Sequence, residues 1–404
     1  MSAIVLLAAH ILSMLGFATF AALLPELRDA WRLSNAEAGM IGSAFFAGYI
    51  ATVAYWTALT DRVDGRGVYL LGGLLGAAGS LGFGLLADGL GSAMLFQLLF
   101  GAGMAATYMP GLRLLSDRSS GPAQSRVVAF YTSFFGIGTG LSLVVAGMSA
   151  ATWGWRSAFV LSAIGPALAA ALVRFALERV APPNEGAKGL HLATLFPIAA
   201  WRRVLAIRAA AGYTLGYAVH CVELFGSRAW MVAFLAFAAG LHTGTQTFPW
   251  NAAAIAAVVN VVAVPASIVG NEIALRLGRR RWILTAMLAS GVFGIALALA
   301  APLHWAIVLA LLTTHAMLVM ADSGTLTAGL IGSAPPALRG AAMGFYSLVG
   351  FGGGMLGPTL FGVVLDLAGG AERAAAWAWA YGAVGAGCLA APLAVRLFGG
   401  GRAA

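Results

Sequence analysis

Cut at its charged, Pro-containing and Gly-rich breaks, the chain falls into twelve apolar runs. They cover approximately 3–24, 36–58, 68–88, 91–113, 126–149, 156–177, 206–230, 250–273, 282–301, 304–330, 340–367 and 374–396. Runs of this length leave few ways to fold. A helix needs roughly 20 mostly apolar residues to cross a bilayer. A barrel strand needs about half as many and alternates with period two, which these runs do not. Lipid offers the backbone no hydrogen-bond partners, so only helices and closed barrels span it. The expectation is an all-α integral membrane protein. Composition agrees: 61% of the 404 residues are apolar and 9% charged, against about a quarter charged in soluble domains. So little charge could not cover a water-facing surface of this size.

The net charge of +9 would suggest a nucleic-acid partner in a soluble protein. Here the basic residues stand between the apolar runs, so they report membrane orientation and no nucleic acid is expected. With both termini inside, 18 of the 23 basic residues fall on the inner side, among them Arg62, Arg66, Arg113, Lys188 and Arg396. The outer side keeps Arg28, Arg32, Arg156, Arg228 and Arg373. That bias satisfies the positive-inside rule, and the inverted arrangement breaks it. The first run has no preceding Lys or Arg and no convincing cleavage site, so it is expected to be a retained span. Cys221 and Cys388 both lie within runs, which suggests neither a disulfide framework nor a metal site.

The longest inner segment, 179–205, contains APPNEGAKG and divides the chain into an N-terminal six-helix bundle (1–178) and a C-terminal one (206–404). Matching positions in the two halves point to a duplication. DRVDGRG (61–67) follows the second span and RLGRRR (276–281) the eighth; GIGTG (136–140) lies in the fifth and GFGGGMLGP (350–358) in the eleventh.

On these motifs the sequence resembles the major facilitator superfamily of secondary transporters across essentially its whole length. The family's loop after the second span reads approximately G-x-L-A-D-R-x-G-R-K. Here TALTDRVDGRG (57–67) matches it at Leu59, Asp61, Arg62, Gly65 and Arg66, with Thr57 for the first glycine and one extra residue before Gly65. The resemblance implies alternating access between two bundles, with Asp61 and its arginines as an inner-face gate, and a central cavity lined by spans one, four, seven and ten. Two departures bear on mechanism. The fourth span has Gln97 where many proton-coupled relatives carry arginine, and the fifth lacks the proline of the antiporter signature.

Polar residues inside the runs stand out whatever the resemblance. An ionisable group at mid-membrane costs about 2.5–3.5 kcal/mol on insertion scales, so it is a functional candidate by default. His220 and Glu223 stand three apart in the seventh span, and His315 and Asp322 seven apart in the tenth, so each pair shares a helical face. Tyr217 shares the face of His220. The fourth span adds Gln97, Tyr108 and Arg113, and the first His10 and Ser13. These residues fall on the four spans that the resemblance places around the cavity.

The bland readings are packing contacts for His220 and Glu223, an inner-face anchor for Arg113, and close helix packing for the glycine runs. His220 and Cys221 point about 100° apart on a helix, which counts against a metal-efflux carrier. A membrane-embedded enzyme would need a nucleophile–base pair or metal loop at an interface, and the inner loops offer mainly Arg, Ser and Gly. A transport-inactive sensor would need an output domain. The expectation is therefore a non-enzymatic, monomeric secondary transporter of a small solute in the cytoplasmic membrane, without cofactor and coupled to H⁺, drug efflux being one form of it. Glu223 is the expected protonation site, tuned by His220. His315, Asp322, Gln97, Tyr108, Tyr217 and Arg113 are the expected cavity contacts. Two buried acids facing few central cations favour a neutral or cationic solute.

Overall fold

A computed structural model of the chain describes residues 2–118, 121–181, 195–242, 247–335 and 338–391; for 121–129, 132 and 133 the backbone alone is described. Residues 182–194 of the 179–205 linker, with Lys188 among them, and Arg396 therefore lie outside the described residues. Fifteen helices and no strand occur among those described: α1 Ser2–Ser13, α2 Thr19–Ala30, α3 Asn35–Leu59, α4 Gly65–Leu86, α5 Leu90–Ser116, α6 Gly121–Trp153, α7 Trp155–Ala176, α8 Ile198–Leu205, α9 Arg208–Gly240, α10 Ala252–Leu277, α11 Arg279–Leu299, α12 Trp305–Ala321, α13 Ser323–Ser333, α14 Arg339–Leu367 and α15 Ala374–Leu389. Ten spans among these residues are long and apolar enough to cross a membrane, α12 and α13 counting as one. The expected first span is divided between two 12-residue helices, and the expected last one is represented by the 16 residues of α15.

The first division has a clear hydrogen-bond account. Between α1 and α2 the backbone tightens into turns, with Leu15 N–H bonded to Leu12 O and Phe17 N–H to Met14 O. The groups released by this break are met by side chains. Ser142 of α6 donates to Leu15 O and accepts from Ala18 N–H at 3.0 Å, while Thr19 and Ser162 hydroxyls pair at 2.9 Å. An apolar segment can leave the helix inside a membrane only where such partners replace the lost ladder. Ser142→Ala removes two of these bonds and should cost about 1–3 kcal/mol. The check is a thermal melt of the purified chain in detergent, with a midpoint several degrees below wild type.

The chain forms two compact units: Met1–Leu33, Met40–Phe196 and Ala252–Val261 in unit 1; Ser34–Gly39, Pro197–Asn251 and Val262–Ala404 in unit 2. The start of α3 belongs with unit 2 because the Asp366 carboxylate caps it. Asp366 accepts from Asn35 N–H at 3.1 Å, Asn35 Nδ2 at 2.7 Å and Ala36 N–H at 2.8 Å. An anion here meets otherwise orphaned N–H groups and the positive end of the helix dipole. In unit 1, α3 and α5 cross at two glycines: a Cβ on Gly48 would lie 2.0 Å from Leu98 O, and one on Gly101 1.9 Å from Phe45 O. In unit 2, α9 and α14 meet through Gly353 and Gly357, which sit against Ala218 O and Val222 O. The glycine run 350–358 thus serves close packing.

The seventh run divides the two readings its sequence allowed, a long span or a span with a short interfacial helix. It is one helix of 33 residues to Gly240, ten residues beyond the expected boundary. Arg228, expected at the outer surface, consequently lies inside the span.

Candidate functional site

In unit 2 the structure gathers all four predicted ionisable residues. His220, Glu223, His315 and Asp322 are each 1–2% exposed. Their pairing crosses between helices: His220 Nδ1 lies 2.8 Å from Asp322 Oδ1, and His315 Nε2 lies 3.7 Å from Glu223 Oε1. The first contact is within hydrogen-bond distance and the second is longer than that. Ascending residues on α9 meet descending ones on the α12–α13 span, so the two run antiparallel. The expected partnership of His220 with Glu223 along one helix is replaced by two imidazole–carboxylate pairs between helices.

Glu223 points into the interior of unit 2. Ser290 Oγ of α11 lies 2.7 Å from its Oε2, and a Cβ on Gly385 of α15 would stand 3.3 Å from its Oε1. Ser290 can donate to a carboxylate or accept from a protonated acid, so it serves either charge state. The His315 ring meets Tyr381 edge-on at 5.5 Å and abuts Gly294. Tyr217 stacks on Tyr346 at 3.8 Å and lies parallel to the His220 ring at 5.7 Å; Thr327 and Tyr346 hydroxyls are 3.1 Å apart.

Asp322 marks a break in its span. It ends α12 and precedes α13, and the Ala321 carbonyl beside it accepts from the Trp282 indole N–H at 2.9 Å. Gly270 makes room for that carbonyl, since a Cβ there would lie 1.9 Å from Ala321 O. Interrupted helices with polar groups at the break are a recurrent way to build sites at mid-membrane. The expected single helix over 304–330 is corrected accordingly.

Unit 1 holds the remaining predicted residues. Gln97 is buried on α5. Tyr108 belongs to a cluster that the sequence did not signal: His10 stacks on Tyr131 at 4.2 Å and lies 5.4 Å from Tyr108. Tyr131 hydroxyl donates to Tyr108 O at 3.0 Å, while both His10 ring nitrogens are buried without a hydrogen-bond partner among the described residues. Tyr131 is one tyrosine in a long apolar run, and only the packing of α1 against α6 gives it a role.

The inner-loop motif is knitted into unit 1. Asp61 forms an ion pair with Arg113, whose Nε also lies 3.5 Å from Asp117 Oδ2. Arg113 is therefore engaged at the end of α5. Arg66 binds Asp64 at 2.7 Å and donates to Leu177 O at 2.7 Å, tying the start of α4 to the end of α7. Gly65 lets Leu114 approach, and Arg62 is half-buried in the adjoining turn. Asp64, absent from the expected set, caps α4 through Arg66 N–H at 3.0 Å. Partial burial raises its pKa, but the hydrogen bonds and charge of Arg66, with the charge of Arg179, bring it below the ordinary value.

Long apolar helices, interrupted spans and charge pairs sealed between helices define a multi-pass membrane protein. Residues 6–358 match the pattern of the Major Facilitator Superfamily, and the chain belongs to that superfamily. Its fold is similar to a bacterial homolog of the human lysosomal transporter Spinster, at 15% identity and TM-score 0.76, over 98% of this chain and 94% of that one. It is also similar to a POT family transporter solved with 5-aminolevulinic acid (13% identity, TM-score 0.76, 98% and 95% covered) and to the nucleoside transporter NupG (15%, 0.73, 98% and 99%). At these identities the likeness is one of fold. No curated protein matches the chain in sequence. Membership of the superfamily indicates a transporter rather than an enzyme.

Proposed function

We propose that the chain is a proton-coupled secondary active transporter that moves a small solute across the cytoplasmic membrane by alternating access. The reading takes twelve spans in two six-helix bundles, both termini in the cytoplasm, a monomer embedded in lipid, no cofactor and H⁺ as the coupling ion. The residues of the inner motif, Asp61, Arg62, Gly65 and Arg66, act as its gate.

The observation that carries the proposal is the pair of buried imidazole–carboxylate contacts in unit 2. Each pair is neutral when it holds one shared proton. Gaining or losing one leaves a net charge where desolvation penalises it. A proton entering or leaving such a network therefore changes the energy of the helices that surround it, as coupling requires. Among the described residues no three His, Cys, Asp or Glu side chains group as metal ligands, so nothing favours the metal-efflux reading.

The test reconstitutes the full chain in proteoliposomes loaded with a pH-sensitive dye and screens pooled metabolites under an imposed pH gradient. At least one pool is expected to drive proton movement absent from empty liposomes. Solute uptake with no accompanying proton movement would keep transport and remove the proton. No uptake of any pool, in either direction, would count against the transport reading itself.

A further inference from the structure

Among the described residues of unit 2, Arg228 is a cation well inside a span, away from its ends, that the transport reading leaves unused. Its place is set by two helices. It stands on α9 with a further apolar stretch of the same helix, Ala229–Gly240, beyond it. Its Nη2 reaches Met320 Sδ of α12 at 3.3 Å. Met320 sits near the middle of the membrane-crossing segment Trp305–Ser333, so the guanidinium lies at mid-span depth.

A thioether sulfur is a weak acceptor for a guanidinium that carries five N–H donors. Among the described residues that sulfur is its only hydrogen-bond contact, and it has no ion pair. The acids of unit 2 are committed elsewhere. Glu223 and Asp322 face the two histidines, Asp366 caps α3, Glu37 binds Ser34 N–H at 2.8 Å, and Glu272 and Glu372 are exposed. Arg228 is five residues from Glu223, which turns it about 140° around the helix, away from that carboxylate. It shares instead the side of Tyr217, eleven residues earlier and about 20° away. Arg228 is half-buried, so the site is not sealed. An uncompensated cation at this depth is costly and calls for a partner, and arginine suits planar, bidentate anions best.

We infer that Arg228 binds the carboxylate or phosphate group of an anionic solute, on the face of α9 that also carries Tyr217. This deepens the transport reading and rests on it for the solute's passage. It reverses the expectation of a neutral or cationic solute, which rested on two buried acids facing few central cations.

The experiment measures binding alone. Purified full chain in detergent is melted, followed by tryptophan fluorescence, in sodium acetate, succinate or phosphate against sodium chloride of equal ionic strength. Choline chloride and glucose serve as cationic and neutral comparisons. At least one of the three anions is expected to raise the wild-type midpoint by several degrees. Arg228→Gln should abolish that rise, and Arg228→Lys, which keeps charge without the fork, should weaken apparent affinity about ten-fold. If the Gln variant does not fold, the Lys variant decides. An anion shift that is undiminished in the variants overturns the inference, as does a wild type that none of the three anions shifts. Anion binding without solute-driven flux would leave the site standing and sink the transport reading. Flux driven by a neutral or cationic solute would do the reverse.

Discussion

Glu223→Gln should abolish solute-driven proton movement in proteoliposomes, a loss of about ten-fold or more, while the protein still folds and binds its solute. Gln keeps the size of the side chain and can still meet Ser290, which lies 2.7 Å from Oε2. It removes only the capacity to exchange a proton with the network. His315, 3.7 Å away, would then face a permanently neutral amide. Even a ten-fold loss corresponds to only about 1.4 kcal/mol on the coupled step, a modest demand on a carboxyl sealed among four helices. The flux assay is run with solute binding measured in parallel on the same preparation. Normal coupling in the variant would make Glu223 and His315 a structural pair. The proton would then belong to His220 and Asp322, and Asp322→Asn would be the variant to make.

Gly101→Ala should lower stability more than other single-methyl additions to unit 1. The added Cβ would fall 1.9 Å from Phe45 O, and the reciprocal contact at Gly48 stands 2.0 Å from Leu98 O. Both obstacles are backbone carbonyls of packed helices, which cannot rotate aside as a side chain can. The α3–α5 crossing must open along its length, forfeiting dispersion contacts that drive helix association in lipid. Overpacking of ordinary cores costs about 1–3 kcal/mol, and here the upper end or more is expected, a fall of about 10 °C in melting midpoint. Gly67→Ala is the control, since nothing stands within 4 Å of its Cβ position. A Gly101→Ala midpoint within about 2 °C of wild type would show that the crossing adapts, and would refute the close-packing account.

Much of the fold was legible because bilayer physics writes itself into composition. Apolar length, charge placement and the Arg-bearing loops pointed to membrane helices and to the family before any coordinates. Helix ends such as Asn35, Leu59 and Ala374 fell within a residue of their expected places. The interruptions at 14–18 and at Asp322 were not legible, because each depends on a distant group, Ser142 or Trp282, that catches the released backbone. The tenth run has no proline to mark a break at Asp322. Arg228 was misplaced for a related reason: charge in a sequence looks like an interface, and only the continuation of α9 to Gly240 shows otherwise.

The candidate site divides in the same way. His220, Glu223, His315 and Asp322 were found from sequence because ionisable groups in apolar runs are expensive and therefore conspicuous. Which acid meets which histidine was not, since spacing along a helix fixes a shared face but says nothing of the neighbour opposite. The antiparallel packing of α9 and α12 decided it, exchanging the partners and turning Glu223 toward Ser290.

By itself the sequence determined the solvent, the helical class and the family, since those follow from local apolarity and short motifs. Tertiary structure alone decided which buried charges neutralise one another and which one, Arg228, is left with a thioether. Pairing energy depends on distances across helices, and no periodicity within a single run encodes them.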